Sequence, residues 1–269
     1  MAKVSVLMGL YNCAPTLLGA LESLDNQTYK DFKIILCEDG SKDNTLEVAK
    51  EYALTHNNVV LLVNEKNMGL NYTLNRCLDC ADTEYVARMD GDDFSLPDRF
   101  EKEVAFLDSH PDFAIVSSAM VRFNENGDFL LDTPIEYPSK KDLVRCCPIS
   151  HPACMVRTKA MKEVGGYTVD KHLLRMEDYH LWVKMYAAGY KAYNIPEPLY
   201  RFRDDENAYK RRNWIGRKNE IHVVYIAVKT LGFPWFYLIY ALRPLFAHIV
   251  PRRIYNIFHR KNGERINGK

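Results

Sequence analysis

Residues 84–94 read E-Y-V-A-R-M-D-G-D-D-F, a short apolar strand signal, Tyr85-Val86-Ala87, running into three carboxylates within four positions, Asp90, Asp92 and Asp93. A strand of this kind puts negative charge at its carboxyl end, where open α/β sheets bind ligands. Carboxylates this close repel and raise one another's pKa, so the stretch calls for a positive partner. A hard divalent cation suits oxygen ligands. Magnesium or manganese commonly takes one or two protein carboxylates and completes its shell with water and phosphate oxygens. A diphosphate ligand is the simplest inference. The competing reading is a solvated acidic turn capping the next helix, and the sequence around the stretch has to decide between them.

Upstream, the same strand-to-helix rhythm occurs three times. Residues 4–8 are an apolar run that reads as a buried parallel strand. Leu17, Leu21 and Leu24 then mark one face of a helix. Residues 32–37 form the second strand, ending in E-D-G-S-K-D-N-T (38–45), an acidic turn before a helix with Leu46, Ala49 and Ala53 on one face. Residues 59–63 are the third strand, followed by a helix with Leu70, Leu74, Cys77 and Ala81 along its stripe. After the acidic stretch, Ser95-Leu-Pro-Asp98 predicts a capping box opening a helix to about Leu107. Four β-α repeats predict a parallel, right-handed, doubly wound sheet. The acidic loops after strands two and four then share one crevice. No G-x-G-x-x-G follows strand one and no G-x-x-x-x-G-K-[ST] occurs, which argues against a dinucleotide dehydrogenase and a P-loop NTPase.

Beyond residue 113 the rhythm changes. Asn124-Glu-Asn-Gly127 predicts a hairpin between residues 121–123 and 129–131. Residues 151–156 read as a further strand, and Gly165-Gly166 closes the short helix after it. Residues 177–188 are a helix with Trp182, Met185 and Tyr186 inward and Gly189 at C′. It opens on Glu177-Asp178, where two readings stand: a functional carboxylate pair, or plain complementation of the helix dipole.

The net charge of +1 conceals an asymmetry. Residues 206–269 carry 13 Lys/Arg against 3 Asp/Glu, net +10, which leaves 23 and 32 and a net −9 for residues 1–205. An acidic body with a basic tail points to an anionic partner for the tail. Seven cysteines, two of them adjacent at 146 and 147, argue against a disulfide framework and fit a reducing cytosol. Cys77-x-x-Cys80 has no second pair to complete a zinc site and reads as packing. The start M-A-K-V-S-V passes straight into a strand, so no signal peptide is expected.

The motifs taken together resemble glycosyltransferase family 2. They are L-Y-N at 10–12, E-D-G-S-x-D-N-T at 38–45, N-x-G-L-x-x-x-L-N at 67–75, A-R-M-D-G-D-D at 87–93, H-P-A at 151–153, V-G-G-Y at 164–167 and E-D-Y at 177–179. The resemblance covers about residues 3–203. It implies a GT-A fold, a single Rossmann-like, doubly wound, mostly parallel α/β sheet with helices on both faces. It also implies a nucleotide-sugar donor and a metal-dependent, inverting, non-processive transfer in surface or exopolysaccharide assembly. The expected organisation is a catalytic domain over 1–205, with a nucleotide-binding half (1–110) and an acceptor half (111–205), then a basic helical extension (206–269). By resemblance, Asp39 reads the base through uracil N3–H and Tyr11 belongs to the nucleobase pocket. Asp90 and Asp92 form the D-x-D motif, Asp92 as direct metal ligand and Asp90 nearer the ribose or the metal's waters, while Asp93 ligates or orients. Arg88 either approaches the phosphates or pairs with the acidic cluster. Asp178 is the expected base that removes the acceptor hydroxyl's proton, with Glu177 as second choice. His151 and His180 are acceptor-site candidates, although a lone His such as His151 is more often a satisfied structural group.

In the tail, Ile221, Val224, Tyr225 and Val228 form a helical stripe, and residues 231–242 are apolar and aromatic but contain Pro234 and end at Arg243. That is too short for a membrane span of about 20 apolar residues. With basic flanks it reads as an interfacial anchor on an anionic membrane, serving a saccharide or lipid-linked acceptor at the inner face of the cell membrane. The alternative is packing on the catalytic domain or on a dimer partner. Three rival functions were weighed. A sugar nucleotidyltransferase would need a Gly-rich basic loop where this chain has G-L-Y-N-C-A-P. A non-catalytic interaction protein would have no need of clustered carboxylates. Nucleic-acid binding would need aromatic residues alternating with Arg/Lys, which the tail lacks.

Overall fold

The computed structural model describes residues 2–204 and 214–244 and the backbone of 263–264. Four strands, β1 (Val4–Leu10), β2 (Phe32–Glu38), β3 (Val59–Val63) and β4 (Tyr85–Arg88), lie parallel in the order β3-β2-β1-β4. Their near-continuous apolar character follows from burial on both faces. Val4, Val6, Met8 and Leu10 of β1 point into one core with Ile34 and Leu36 of β2, while Leu7, Ile35 and Cys37 point into the other. Helices α1 (Ala14–Asp25), α2 (Thr45–Thr55) and α4 (Arg99–Ser109) cover the first face; α3 (Leu70–Cys80) lies on the second.

The remaining strands make the sheet mixed. β4 is followed in the sheet by antiparallel β8 (Met155–Arg157), which pairs antiparallel with the long β6 (Phe113–Asn124). β6 forms the predicted hairpin with β7 (Gly127–Asp132), which takes up β10 (Gly263–Glu264) at the edge. On its other side β6 runs parallel to β9 (Lys191–Arg203), which also pairs with β5 (Phe94–Ser95). Helices α5 (Lys140–Arg145), α6 (Thr158–Glu163), α7 (Glu177–Ala187) and α8 (Trp214–Thr230) close the second face. Parallel pairing is thus confined to β1–β4 and to β6 with β9, and the expected α/β sheet with helices on both faces is a mixed one.

Three local expectations are corrected, and one strand appears that the sequence hides. Ser95 does not cap α4: it belongs to β5, where Gln27 Nε2 donates to its hydroxyl at 3.1 Å, and the helix starts at Arg99 after Asp98. Residues 151–153 are a 3-10 turn, with the strand beginning only at Met155, because Pro152 suits the first turn of a helix and lacks the N–H a strand uses. β9 carries Pro196 and Pro198, which argue against a strand in sequence, and the β6–β9 register shifts around them. In α8 the inward residues are Asn219, Val223, Val224, Ala227 and Val228, leaving Tyr225 of the expected stripe exposed. Part of the basic tail, residues 205–213 and most of 245–269, lies outside the described residues.

Candidate active site

The register of the parallel strands brings Leu10, Glu38 and Val63 level, so the loops after β1, β2 and β3 meet at one edge with the loop after β4 beside them. Side chains of the second loop satisfy the backbone of the first. Ser41 Oγ accepts from Asn12 N (3.0 Å), Thr45 Oγ1 from Cys13 N (2.9 Å) and Asp43 Oδ2 from Ala14 N (3.1 Å). Glu38 folds back to accept from Gly40 N and Ser41 N. Gly40 has φ +69°, and a Cβ there would sit 2.6 Å from Asn67 N, so only glycine allows the second and third loops to approach this closely. The E-D-G-S-x-D-N-T signature is therefore a self-capping turn that shapes the crevice floor.

Asp39 is buried behind this turn. Its Oδ1 accepts from Asn64 Nδ2 (2.6 Å) and Met68 N (2.7 Å), and its Oδ2 from Gly69 N (2.9 Å). It thus ties the loop after β3 to the end of β2. Asn64 is itself held by Thr73 and Arg76. Tyr11 stands in the first loop with 45% of its surface exposed, a ring presented rather than packed.

Asp90, Asp92 and Asp93 take three different settings. Asp90 is partly exposed and pairs through Oδ1 with Arg88 Nη2 at 2.5 Å. Asp92 is also partly exposed. Asp93 is turned inward, its Oδ1 accepting from Arg203 N (2.7 Å) while Oδ2 is buried without a hydrogen-bond partner. Burial, with the charges of Asp90 and Asp92, holds Asp93 well above the usual carboxylate range. An orphaned buried oxygen beside two more carboxylates fits a hard cation with oxygen ligands. Among the described residues no three His, Cys, Asp or Glu side chains converge on one point as a ready metal cage. A cation here would take part of its shell from its ligand's phosphates. Arg88, offered above as a phosphate contact or an ion-pair partner, is 3% exposed and forms the ion pair.

Helix α7 opens on Glu177 and Asp178, with Arg175 just before them at φ +67°. A non-glycine residue in the left-handed region is uncommon and marks local strain. Burial, then the neighbouring Asp178, pushes Glu177 up to about 7. Burial also raises Asp178, opposed by backbone N–H groups at the helix start, by Cys147 and by Arg88. Cys147 Sγ lies 3.8 Å from Asp178 Oδ2. His151 is buried, 2.7 Å from Tyr167 Oη and edge-on to Trp182, and burial holds it well below its ordinary value. It is a neutral packed group. His180 lies two residues into α7 from Asp178, its Nδ1 buried without a partner, and burial lowers it to about 4.

Motifs far apart in sequence prove to be one network. Asn75 of α3 clamps the backbone of Tyr167, donating to its carbonyl and accepting from its N–H, both at 2.8 Å; Asn71 donates to Thr168 O. N-x-G-L-x-x-x-L-N, V-G-G-Y and H-P-A therefore meet at Asn75, Tyr167 and His151. Two further residues at the acidic loop lie on β9, a strand whose prolines hide it in the sequence. Tyr200 Oη accepts from Asp90 N (3.2 Å), and Arg203 Nε donates to Asp92 O (3.1 Å). The alternation Tyr200-Arg201-Phe202-Arg203 was the available signal, obscured by the two prolines.

A model of the family described as glycosyl transferase family 2 matches residues 5–165. The chain belongs to glycosyl transferase family 2. Its relatives include EpsE of Bacillus subtilis (38% identical; 96% of this chain and 94% of that protein). The amylovoran biosynthesis glycosyltransferase AmsE of Erwinia amylovora is 31% identical over 96% of this chain and 98% of its own length. An Escherichia coli UDP-Gal:alpha-D-GlcNAc-diphosphoundecaprenol beta-1,3-galactosyltransferase is 32% identical, covering 79% of this chain and 78% of that protein. Among solved structures, Staphylococcus aureus TarS in complex with UDP-GlcNAc superposes with a TM-score of 0.72 at 18% identity (96% of this chain, 76% of that chain). The mannosyltransferase PcManGT from Pyrobaculum calidifontis, in complex with GDP-Man and Mn2+, gives 0.65 at 17% identity (96% and 79%). At these identities the structures establish the GT-A fold. The family assignment makes the chain a glycosyltransferase, and its parallel half is the part the family model covers together with β6–β8.

Proposed function

We propose that this family 2 enzyme moves a sugar from a UDP-linked donor, with a divalent cation, to a lipid-linked saccharide acceptor by an inverting displacement. One arrangement supports the reading: Asp39, Tyr11 and the D-x-D carboxylates stand on loops that meet at the carboxyl edge of β1, β2 and β4, and the Glu177-Asp178 pair opens α7. An ionised carboxylate has about four acceptor positions, and Asp39 uses three on its loop. One is left for a pyrimidine N3–H, with Tyr11 available to stack. Asp92 and Asp90 would hold manganese or magnesium with the donor's phosphates, and the cation when bound supplies countercharge to the diphosphate leaving group. Asp178, ionised, accepts the proton of the acceptor hydroxyl as that oxygen attacks the anomeric carbon. Glu177 and His180 border the acceptor side. The acceptor class rests on the E. coli relative, whose name gives a diphosphoundecaprenol-linked substrate.

Calorimetric titration with UDP, GDP and dTDP, first with manganese and then with EDTA, tests the donor half. Tight binding of UDP that EDTA abolishes is expected, and no binding of any nucleotide by folded protein would refute the reading. Asp92→Ala should weaken manganese-dependent UDP binding by about tenfold or more, roughly 1.4 kcal/mol, and unchanged binding would remove Asp92 from the metal site.

The same reading places the tail on an anionic membrane at the inner face. Among the described residues no helix is long and apolar enough to cross a membrane. The 3-10 segment Trp235–Leu242 divides its apolar residues: Tyr237, Leu238, Tyr240 and Ala241 pack on the core, whereas Trp235, Phe236, Ile239 and Leu242 are exposed, Trp235 by 79%. Arg243 ties the segment down through Arg145 O and Glu220. One face on the domain and one aromatic face outward suit an interfacial anchor. Removing residues 215–269 would uncover the α8 core face, so the cleaner variant is Trp235→Ser/Phe236→Ser/Ile239→Ser. It should sediment with phosphatidylglycerol vesicles at least about tenfold less than the parent. Equal sedimentation, or a dimer lost on substitution, would assign that face to something other than lipid.

A further inference from the structure

The sheet ends on β3, and its outer edge is bare. β3 pairs with β2 alone, over residues 59–63, without a shift in register. Asn58 O accepts from Ile34 N and Asn64 N donates to Glu38 O, both towards β2. Backbone groups alternate sides along a strand. Those of Val60 and Leu62 therefore also face β2, while those of Val59, Leu61 and Val63 face away from the sheet. Both ends of this outer row are satisfied within the chain: Val59 N donates to His56 O (3.1 Å), and Val63 O accepts from Arg76 Nη1 (2.9 Å). Between them, Val59 O, the N–H and carbonyl of Leu61, and Val63 N have no partner among the described residues. Exposed edges are ordinarily blunted by charge, proline or a bulge, and residues 58–64, N-V-V-L-L-V-N, carry none of these. The surroundings are apolar as well: Val60 is 39% exposed, Val63 45%, and Leu54 near the end of α2 85%.

The stretch reads almost the same in both directions about Leu61. Turned end for end, Asn58 meets Asn64, Val59 meets Val63, Val60 meets Leu62, and Leu61 meets itself. The unpaired backbone groups obey the same symmetry. We propose that β3 is a dimer seam, on which a second copy of this chain pairs antiparallel about a two-fold axis at Leu61 and joins the two sheets into one. Leu61 N–H then donates to the Leu61 carbonyl of the second copy, and Val63 N–H to its Val59 carbonyl. The two-fold repeats both bonds, and every unpaired group of the edge is used. No residue of the seam is charged, so no like charges oppose one another. A strand from another protein could meet the bare edge, but only a second copy makes use of a palindrome, because a two-fold contact requires a self-complementary surface. The axis stands perpendicular to the sheet. The second faces of both copies, with α8 and the Trp235–Leu242 segment, therefore lie on one side of the joined sheet. The seam also runs into the clamp of Asp39, since Asn64 at its end donates to Asp39 Oδ1.

A seam of five residues a side falls well below the roughly 20–30 residues a side of a standard interface, so the dimer is expected to assemble in the micromolar range. Sedimentation velocity of the full-length protein over that range should show the mass rise from 31.2 kDa towards twice that value. Val60→Lys puts a charge on the exposed edge, as natural edge strands do; it should weaken dimerisation at least about tenfold, roughly 1.4 kcal/mol. Trp235→Ser/Phe236→Ser/Ile239→Ser should dimerise like the parent. Amide exchange by NMR locates the seam without any substitution: Leu61 and Val63 should exchange at least about tenfold more slowly at high protein concentration than at low, while Val60 and Leu62, already bonded to β2, keep their rates. A monomer at every concentration overturns the proposal. So does a dimer in which the Leu61 and Val63 amides exchange as in the monomer, since its contact lies elsewhere.

Discussion

Replacing Asp178 by Asn is expected to lower glycosyl transfer by about 10²–10⁴-fold, the range general-base catalysis supplies. Manganese-dependent UDP affinity should stay within about threefold, under 1 kcal/mol. The amide keeps the volume of the carboxylate and can still sit at the start of α7, but it cannot take a proton. On the reading of Asp178 as the base, turnover and binding separate because its side chain meets Cys147 in the segment after α5, whereas Asp39 is bound to the loop after β3. Glu177→Gln should cost far less, because burial already pushes Glu177 up to about 7 and leaves it partly protonated at neutral pH. The base works only when ionised, and burial raises Asp178. The rate should therefore fall as pH drops through a midpoint above the ordinary aspartate value, and this limb should vanish in Asp178→Asn. Turnover within tenfold of the parent would show that another group takes the proton.

Arg99→Met carries the largest expected loss of stability. Arg99 and Glu103 are fully buried on α4, with both carboxylate oxygens 3.2 Å from Arg99 Nε. The guanidinium also donates to Arg88 O and Cys154 O and lies over the rings of Phe100 and Tyr200. Removing one partner of such a pair leaves an uncompensated buried charge, at a cost of about 3–5 kcal/mol. The double variant Arg99→Met/Glu103→Leu removes both charges and should recover much of that loss. Burial outweighs Arg99 and pushes Glu103 up to about 7 from an ordinary 4.5. A raised folded-state pKa means stability present below 4.5 and lost as pH rises through the folded value. Without Arg99 the folded value climbs further, so the deficit of Arg99→Met should be smaller at acid pH and larger at alkaline pH. Urea midpoints at constant m-value would measure this. Equal losses in the single and double variants would show that the carbonyl contacts, not the charge, dominate.

The same buried arginine explains how a site assembled from distant segments keeps its geometry. Arg99 grips the carbonyl of Arg88, just before the D-x-D loop, and that of Cys154, just before β8, so both segments are tied to one side chain. Nothing in P-D-R-F-E-K-E announces this. At i, i+4 on a helix an Arg and a Glu look like a solvated surface pair, and only the packing of α4 against β6, with Arg99 reaching Arg88 O on β4 and the Tyr200 ring on β9, takes them out of water.

By itself the sequence determined the parallel half of the fold and the chemistry of its loops. Those signals are local: a buried strand needs an unbroken apolar run, a helix shows its stripe within four residues, and an acidic loop at a strand end carries its charge whatever packs around it. The acidic loops that hold Asp39 and the D-x-D carboxylates were legible in this way, while the parts given to Asp39 and Asp178 came from the family resemblance. Tertiary structure alone decided what those carboxylates face. It turned Asp93 inward onto Arg203 and Asp90 onto Arg88. It also joined Asn75, Tyr167 and His151 into one clamp. β9, masked by its prolines, came to lie along β6 and supply Tyr200 and Arg203 to the site. The division has a physical cause: propensity and hydrophobic period act between neighbours in sequence, whereas burial, pairing and electrostatic coupling act between neighbours in space, which exist only once the sheet has closed.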